Sequence, residues 1–404
     1  MMWISDERII RLAKEYGTPL YVYDEKTLRR SCRDMHDLLP NKNFRVSYSA
    51  KANSNVEIMK IIRDEDIDVD AMSPGEIYLQ QLAGFTSEQI FFIPNNVSVD
   101  EMRCAIDRDI MVSVDSLSQL GMYGRINPGG SIAVRFNSSN GLGHHDKVVT
   151  AGKKTKFGIP ITQVGEVKSL LEKYGLKIVG INQHLGSFVL TKEPYLDGAK
   201  ELLEVSKQFS GLSVIDFGGG FGVPYKENDQ RLDLAGLSLG LDEMLTEFLR
   251  EYDNKSVMFR IEPGRYIPAE CGILLGTVHS VKTNHDMEYI GTDIGFNVLM
   301  RPVLYDSYHA IHIAQSSNTV GQIKPRTVVG NICESGDIIA KGRELPQVNE
   351  GAIVVVQTVG AYGFSMSSNY NCRLRPAEVL ISTDGTHRLI RRRETFEDLI
   401  GTFL

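Results

Sequence analysis

Two hydrophobic textures alternate along the first two-thirds of the chain. Short β-rich apolar runs predict strands over 44–49, 68–71, 89–93, 110–114, 132–136, 177–182, 213–216 and 257–261. Between them, apolar residues recur at helical spacing over 55–64, 74–83, 99–107, 164–174, 194–209 and 241–252, with starts marked by Ser, Asp or Pro. Each strand is followed by a helix or by a loop long enough to hold one. That alternation predicts parallel pairing, and eight such units close naturally into a (β/α)8 TIM-like barrel. A doubly wound open sheet shares the alternation, and strand counting does not separate the two.

After about residue 275 the long helical patterns stop. Short strands are predicted over 275–282, 287–293, 327–329, 353–359, 377–382 and 387–391, separated by turn residues such as Ser335-Gly336-Asp337 and Asp384-Gly385. This texture predicts an antiparallel, β-barrel-like C-terminal domain. A further strand at 20–23 precedes the barrel pattern. The expected division is a barrel over 24–275 and a β domain made of 1–23 and 276–404.

Composition narrows the function classes. The chain has 404 residues, 42% of them hydrophobic and 24% charged, with a formal net charge of −7. These are values of an ordinary soluble globular protein. The negative balance argues against bulk attraction to nucleic acid or an anionic membrane. No apolar run reaches the roughly 20 residues that span a bilayer. The first sixteen residues are acidic and amphipathic, unlike an export signal, so a cytoplasmic location is expected. Five cysteines, Cys32, Cys104, Cys271, Cys333 and Cys372, are scattered and form no CxxC pair. A disulfide framework and a structural zinc site are weak readings, and buried thiols in a reducing compartment are expected. The basic run Arg391-Arg392-Arg393 is followed by Glu394, Glu397 and Asp398, which suits a solvated face or intersubunit ion pairs.

Reactive groups of such a barrel sit at the C-terminal ends of its strands. The first strand runs into Lys51 between two alanines, the sixth into His184-Leu185-Gly186-Ser187, the seventh into Gly218-Gly219-Gly220, and the eighth into Glu262-Pro263-Gly264-Arg265. The small neighbours of Lys51 leave room around its amine, and a partly buried lysine suits a Schiff base, while the glycine loop suits a single phosphate. The glycine spacing matches neither a Walker loop nor a dinucleotide fingerprint. A carboxylate is the partner that the ring nitrogen of pyridoxal phosphate needs, and His184 is placed to stack on such a ring. The pair His144-His145 is read as loop, with no metal assigned. In the β domain, Cys333-Glu334, Arg301 through Tyr305, and Tyr362 supply a thiol, charges and phenols for a polar substrate.

These motifs are similar to those of the alanine-racemase-fold (fold type III) pyridoxal-phosphate decarboxylases. The resemblance covers nearly the whole chain, through YSAKAN at 48–53, HLGS at 184–187, DFGGGFG at 216–222, EPGR at 262–265 and CESGD at 333–337. The segments GHHDKVVTAGKKTKFGI at 143–159, RPVLYDSYH at 301–309 and GAYGFSMSSNYN at 360–371 resemble more narrowly the diaminopimelate decarboxylases.

The resemblance implies a pyridoxal 5'-phosphate enzyme that converts meso-2,6-diaminopimelate to L-lysine and carbon dioxide. It implies that Lys51 holds the cofactor, that His184 stacks on it and that Glu262 pairs with its ring nitrogen. Ser187, Gly218, Gly219, Gly220, Gly264, Arg265 and Tyr362 would hold the phosphate. Arg265, Arg301 and Tyr305 would hold the substrate's far carboxylate, Glu334 its far ammonium, with Tyr362 also beside the substrate. Cys333, supplied by the neighbouring subunit of a homodimer with shared sites, would deliver a proton. The chain departs from the family pattern at Phe188, where Gln is common, and at Val97, where Lys is common. A decarboxylase of ornithine, lysine or a carrier-bound amino acid keeps the same chemistry. A racemase of this fold sets an arginine against the ring nitrogen, so Glu262 argues against it. A non-catalytic cofactor carrier leaves the β domain unexplained, and a metal-dependent hydrolase lacks ligands at the strand ends.

Overall fold

The computed structural model describes residues 2–40, 42–137, 142–143, 152, 155–314 and 322–403. The chain falls into two compact units. One comprises Ser31–Val223 and Gln230–Ile267, and the other Met1–Arg30, Pro224–Asp229 and Pro268–Leu404. The segment 224–229 thus belongs with the second unit, although the sequence division leaves it inside the barrel.

The first unit is a closed parallel barrel. Its strands are Phe44–Ser49, Asp68–Ala71, Ile90–Phe92, Met111–Val114, Ser131–Asn137, Lys177–Asn182, Val214–Gly219 and Met258–Glu262. Each pairs in parallel with the next, and Met258–Glu262 pairs in parallel with Phe44–Ser49 to close the ring. Closure rules out the open-sheet alternative. Helix starts are fixed by side chains. Ser73 accepts from the Glu76 N–H ahead of Pro74, Ser98 and Glu101 form a capping box, and Asn55 accepts from the Glu57 N–H. The helix Val164–Tyr174 ends on Gly175 in the left-handed conformation that a side chain would oppose.

Two of the helices set between barrel strands depart from expectation, and the helix Glu25–His36 before the first strand is a further addition. The last barrel helix is Leu234–Glu251 rather than 241–252, because Asp233 caps it and offsets the low helix propensity of Gly236 and Gly240. The helix Leu117–Ile126, capped by Ser116, holds Gly121 and Gly124 and shows no strong apolar period.

The second unit is built on one nine-stranded sheet. Its pairing order runs Ile338–Leu345, Lys324–Val329, Met287–Thr292, Gly272–Asn284, Leu20–Asp24, Ala377–Ile381 and His387–Arg391, while Ile353–Val356 pairs Gly272–Asn284 and Ile311–Ala314 pairs Ile353–Val356. The sheet is mixed, which corrects the purely antiparallel expectation. Leu20–Asp24 runs parallel to Ala377–Ile381, and Met287–Thr292 runs parallel to Lys324–Val329. Both parallel pairs join segments separated by long stretches of chain, whereas the antiparallel pairs include the short hairpins that turn residues predict. The helix Asp6–Tyr16 brings Ile9 and Leu12 into a core with Leu20, Val22, Leu275, Val355 and Val379. The basic run finds partners inside its own unit: Arg391 pairs with Glu378, Arg392 with Asp398, and Arg393 donates to the Pro19 carbonyl at 2.7 Å. Among the described residues, no helix is long and apolar enough to cross a membrane.

Candidate cofactor and substrate site

In the barrel unit, Lys51 stands on a short 3-10 turn, Ala50–Ala52, directly after the first strand. The Tyr48 hydroxyl donates to the Asn53 carbonyl at 3.0 Å and ties the turn down. The lysine side chain is exposed, which corrects the expectation of partial burial. Its small neighbours Ala50 and Ala52 are buried instead, so the turn is anchored and the amine projects.

Around it the barrel interior collects charge that the apolar runs conceal. Asp70 is wholly buried, and the Ser49 hydroxyl donates to its Oδ2 at 2.7 Å. Burial pushes its carboxyl up to about 7, against the opposing pull of the Lys51 charge. Asp216, held by the Gly218 N–H at 2.8 Å, is pushed up to about 6 by burial, with Arg260 opposing. Burial raises Glu262 well above the usual carboxylate range, and the neighbouring Asp216 and Asp70 raise it further. Its Oε1 is buried with no hydrogen-bond partner in the protein. Arg135 lies buried in the fifth barrel strand and acts electrostatically on all three carboxyls. Burial, followed by the charges of Lys51 and Arg135, holds His184 well below the usual imidazole range, so its ring is neutral. The Gly219 N–H donates to its Nδ1 at 3.2 Å, which puts the ring hydrogen on Nε2.

The glycine loop is needed as glycine. Gly218 and Gly220 have φ of 73° and 104°, and a Cβ on Gly219 would fall on the Glu262 carbonyl oxygen. A Cβ on Gly220 would sit 2.6 Å from the Gly186 carbonyl oxygen. The backbone of the sixth-strand loop, the seventh strand and the eighth strand therefore meet here at closest approach. Ser187 accepts from Arg265 at 3.0 Å, and the Arg265 guanidinium lies 6.0 Å from the Phe188 ring centroid. Phe188 has φ 70°, an uncommon backbone state for a bulky residue. Gly264 lies in the turn that delivers Arg265, which is itself buried. Val97 is buried, and its carbonyl accepts from Gln119.

In the β unit, Arg301 opens the short helix Arg301–Tyr305 and is 2% exposed, while Tyr305 is partly buried at its end. Cys333 and Glu334 are both exposed on one loop. The Cys333 N–H donates to Asn371 Oδ1 at 2.9 Å, and Glu334 Oε1 accepts from the Tyr370 hydroxyl at 2.7 Å. Tyr362 has φ 57° and lies between the closely packed Gly360 and Gly363. Cys372 is exposed beside this loop, which corrects its expected burial, whereas Cys32 and Cys271 are buried as expected.

The predicted residues thus form two sets: Lys51, His184, Ser187, Gly218, Gly219, Gly220, Glu262, Gly264 and Arg265 in the barrel unit, and Arg301, Tyr305, Cys333, Glu334 and Tyr362 in the β unit. His144-His145 and most of the segment 143–159 lie outside the described residues. Sequence reasoning missed Asp70, Arg135, Asp216 and Tyr370. The signal was present for Arg135, a charge in the middle of the apolar run IAVRF, because burying a charge without a partner is costly.

The arrangement fits pyridoxal phosphate on its own terms. A buried carboxyl with an unpartnered oxygen suits a protonated ring nitrogen, a neutral histidine ring suits stacking, and a glycine loop packed against the Gly186 and Glu262 backbone, with Ser187 and Arg265 following those segments, suits a phosphate. Comparison with known proteins agrees. Residues 25–269 match the family model described as pyridoxal-dependent decarboxylase, pyridoxal binding domain. Diaminopimelate decarboxylase of Methanothermobacter thermautotrophicus is 40% identical over 399 residues, covering 97% of this chain and 92% of that one. The Escherichia coli enzyme of the same name is 33% identical over 416 residues, covering 98% and 96%. The crystal structure of diaminopimelate decarboxylase from Helicobacter pylori complexed with L-lysine superposes with a TM-score of 0.89 at 30% identity, covering 97% of this chain and 98% of that one. A lysine/ornithine decarboxylase from Vibrio vulnificus shares the fold at 21% identity and a TM-score of 0.80. The chain belongs to the diaminopimelate decarboxylase family of pyridoxal-dependent decarboxylases.

Proposed function

We propose that this protein decarboxylates meso-2,6-diaminopimelate to L-lysine and carbon dioxide, with pyridoxal 5'-phosphate, as a cytoplasmic homodimer. The observation that carries the reading is the buried Glu262 carboxyl, whose Oε1 has no protein partner, in the same strand ring as Lys51. When bound, pyridoxal phosphate supplies a sink for the electrons of the breaking carboxylate bond. Lys51 Nζ holds the cofactor, and the neutral His184 ring stacks on it without adding charge. A carboxylate from Glu262 keeps the ring nitrogen protonated, which deepens the sink. Ser187, the Gly218–Gly220 loop, the Gly264-Arg265 backbone and Tyr362 hold the phosphate.

The substrate's far end retains a carboxylate through the reaction. Arg265 and Arg301, with Tyr305, give it charge-assisted hydrogen bonds, while Glu334, steadied by Tyr370, takes the far ammonium and Tyr362 lines the substrate. Cys333 of the neighbouring subunit gives its Sγ proton to the carbon that has lost carbon dioxide. Two arginines disfavour ornithine or lysine as substrate, since neither has a second carboxylate. The test is carbon dioxide release by the cofactor-loaded protein from meso-diaminopimelate, lysine and ornithine side by side. Release from the first alone is expected, and release from ornithine or lysine with none from diaminopimelate overturns the proposal.

A further inference from the structure

His309 closes the segment that Arg301 opens, and the reading above gives it no role. It is 0% exposed. Its Nδ1 lies 2.9 Å from the Gln357 carbonyl oxygen, which can only accept, so Nδ1 carries the ring hydrogen. Nε2 is then a bare lone pair, and it lies 3.0 Å from Nη1 of Arg301. The Gln357 carbonyl thus fixes the tautomer, and the tautomer fixes an acceptor for the arginine. The same guanidinium lies over the Tyr225 ring, its carbon 4.7 Å from the ring centroid. Tyr225 meets His309 edge-on at 5.3 Å and 89°, and its own N–H donates to Asp229 Oδ2 at 3.0 Å.

A guanidinium recognises a carboxylate through two parallel N–H groups on one edge of its plane. Where that edge faces depends on the rotation of the plane about the last side-chain bonds. An acceptor held at one N–H and an aromatic ring beneath the group both resist this rotation. We infer that His309 and Tyr225 are positioning residues that orient Arg301 toward the far carboxylate of substrate and product. They thereby discriminate molecules that carry that carboxylate from those that lack it. The inference rests on the proposed role of Arg301, and it adds the residues that make that role selective.

The test uses the cofactor-loaded enzyme and the variants His309→Phe, His309→Gln and Tyr225→Leu. His309→Phe keeps a ring but loses the acceptor, while the amide oxygen of His309→Gln can still accept. KM for meso-diaminopimelate is expected to rise about tenfold in His309→Phe, a one-hydrogen-bond effect on binding, with kcat changed by less than about threefold. His309→Gln is expected to recover most of that loss. Competitive inhibition by lysine, which carries the carboxylate, should weaken about tenfold, while inhibition by cadaverine, which lacks it, should not move. Cofactor absorbance should match the parent in every variant. Lysine and cadaverine weakening together, or kcat falling at constant KM, overturns the positioning role. If His309→Phe does not fold, the lysine-to-cadaverine ratio in Tyr225→Leu decides, and an unchanged ratio overturns it. A parent enzyme that releases no carbon dioxide from meso-diaminopimelate overturns the proposed substrate instead.

Discussion

Replacing Asp70 by Asn in the cofactor-free protein isolates the electrostatic cost of the barrel interior. Asp70 is fully buried, and its carboxyl is held at about 7 against an ordinary 3.8. The native state therefore keeps a proton that the unfolded chain releases. Below about pH 4 both states carry the proton, and no charge is buried. As pH rises toward about 7 the unfolded chain gains its charge freely while the native state does not, so stability falls across this window and levels off above it. The gap between the two values, at about 1.4 kcal/mol per pH unit, amounts to about 4 kcal/mol. Asn has no such transition. Its unpaired amide hydrogens add a constant penalty of about 1–3 kcal/mol at every pH. The difference in unfolding free energy between variant and parent should therefore change by about 4 kcal/mol in the variant's favour between about pH 4 and about pH 8. Urea unfolding followed by circular dichroism at a series of pH values reads this directly. Asp216 and Glu262 shift in the same direction, but they are present in both proteins and leave the difference intact in sign. Two parallel stability curves would refute the account of a carboxyl strained by burial.

Two further outcomes are expected. Gly219→Ala sets a Cβ against the Glu262 carbonyl oxygen, a backbone atom that no rotamer change can move; it should lower stability by at least about 1–3 kcal/mol in thermal unfolding and weaken cofactor retention on dialysis, and a parent-like protein would show that the three loops can separate. If sites are shared between subunits, Lys51→Ala and Cys333→Ala are each inactive or severely impaired alone, whereas a random mixture of the two recovers about a quarter of parent activity, because about half the dimers contain one intact site in two. No recovery on subunit exchange would place Lys51 and Cys333 of one chain in the same site.

The barrel was legible because its strands are short apolar runs set between capped helices. The runs 44–49, 68–71 and 177–182 emerge with the predicted ends, since parallel strands buried on both faces leave little ambiguity. The strands Ile311–Ala314 and Ile338–Leu345 were not legible. The first is brief, and the second carries Lys341, Gly342 and Arg343 where alternation is needed. The parallel pairing in the β unit was also hidden, because partners far apart in sequence leave no local signal. At the site, the residues that face a ligand were readable from motifs at strand ends. The groups that tune them were not, because Asp70 and Asp216 read as ordinary strand residues until the closed ring places their charges in one buried neighbourhood. His309 is a similar case: its meaning lies in a carbonyl at Gln357 and a ring at Tyr225 that only the fold supplies.

The strand Leu20–Asp24 has a consequence for how the protein is made. It lies between Gly272–Asn284 and Ala377–Ile381, and it pairs with both along its length. A growing chain therefore produces this strand first, one of its neighbours only after the barrel, and the other later still. The barrel strands are all synthesised in the interval, and each finds its partners among neighbours already made, apart from the closing pair. Until Gly272–Asn284 emerges, both edges of Leu20–Asp24 are unpaired, and the edge that Ala377–Ile381 covers stays open until that later strand is made. The β unit is thus assembled around a segment that waits, and the interval is one in which that early strand is open to pairing with another chain.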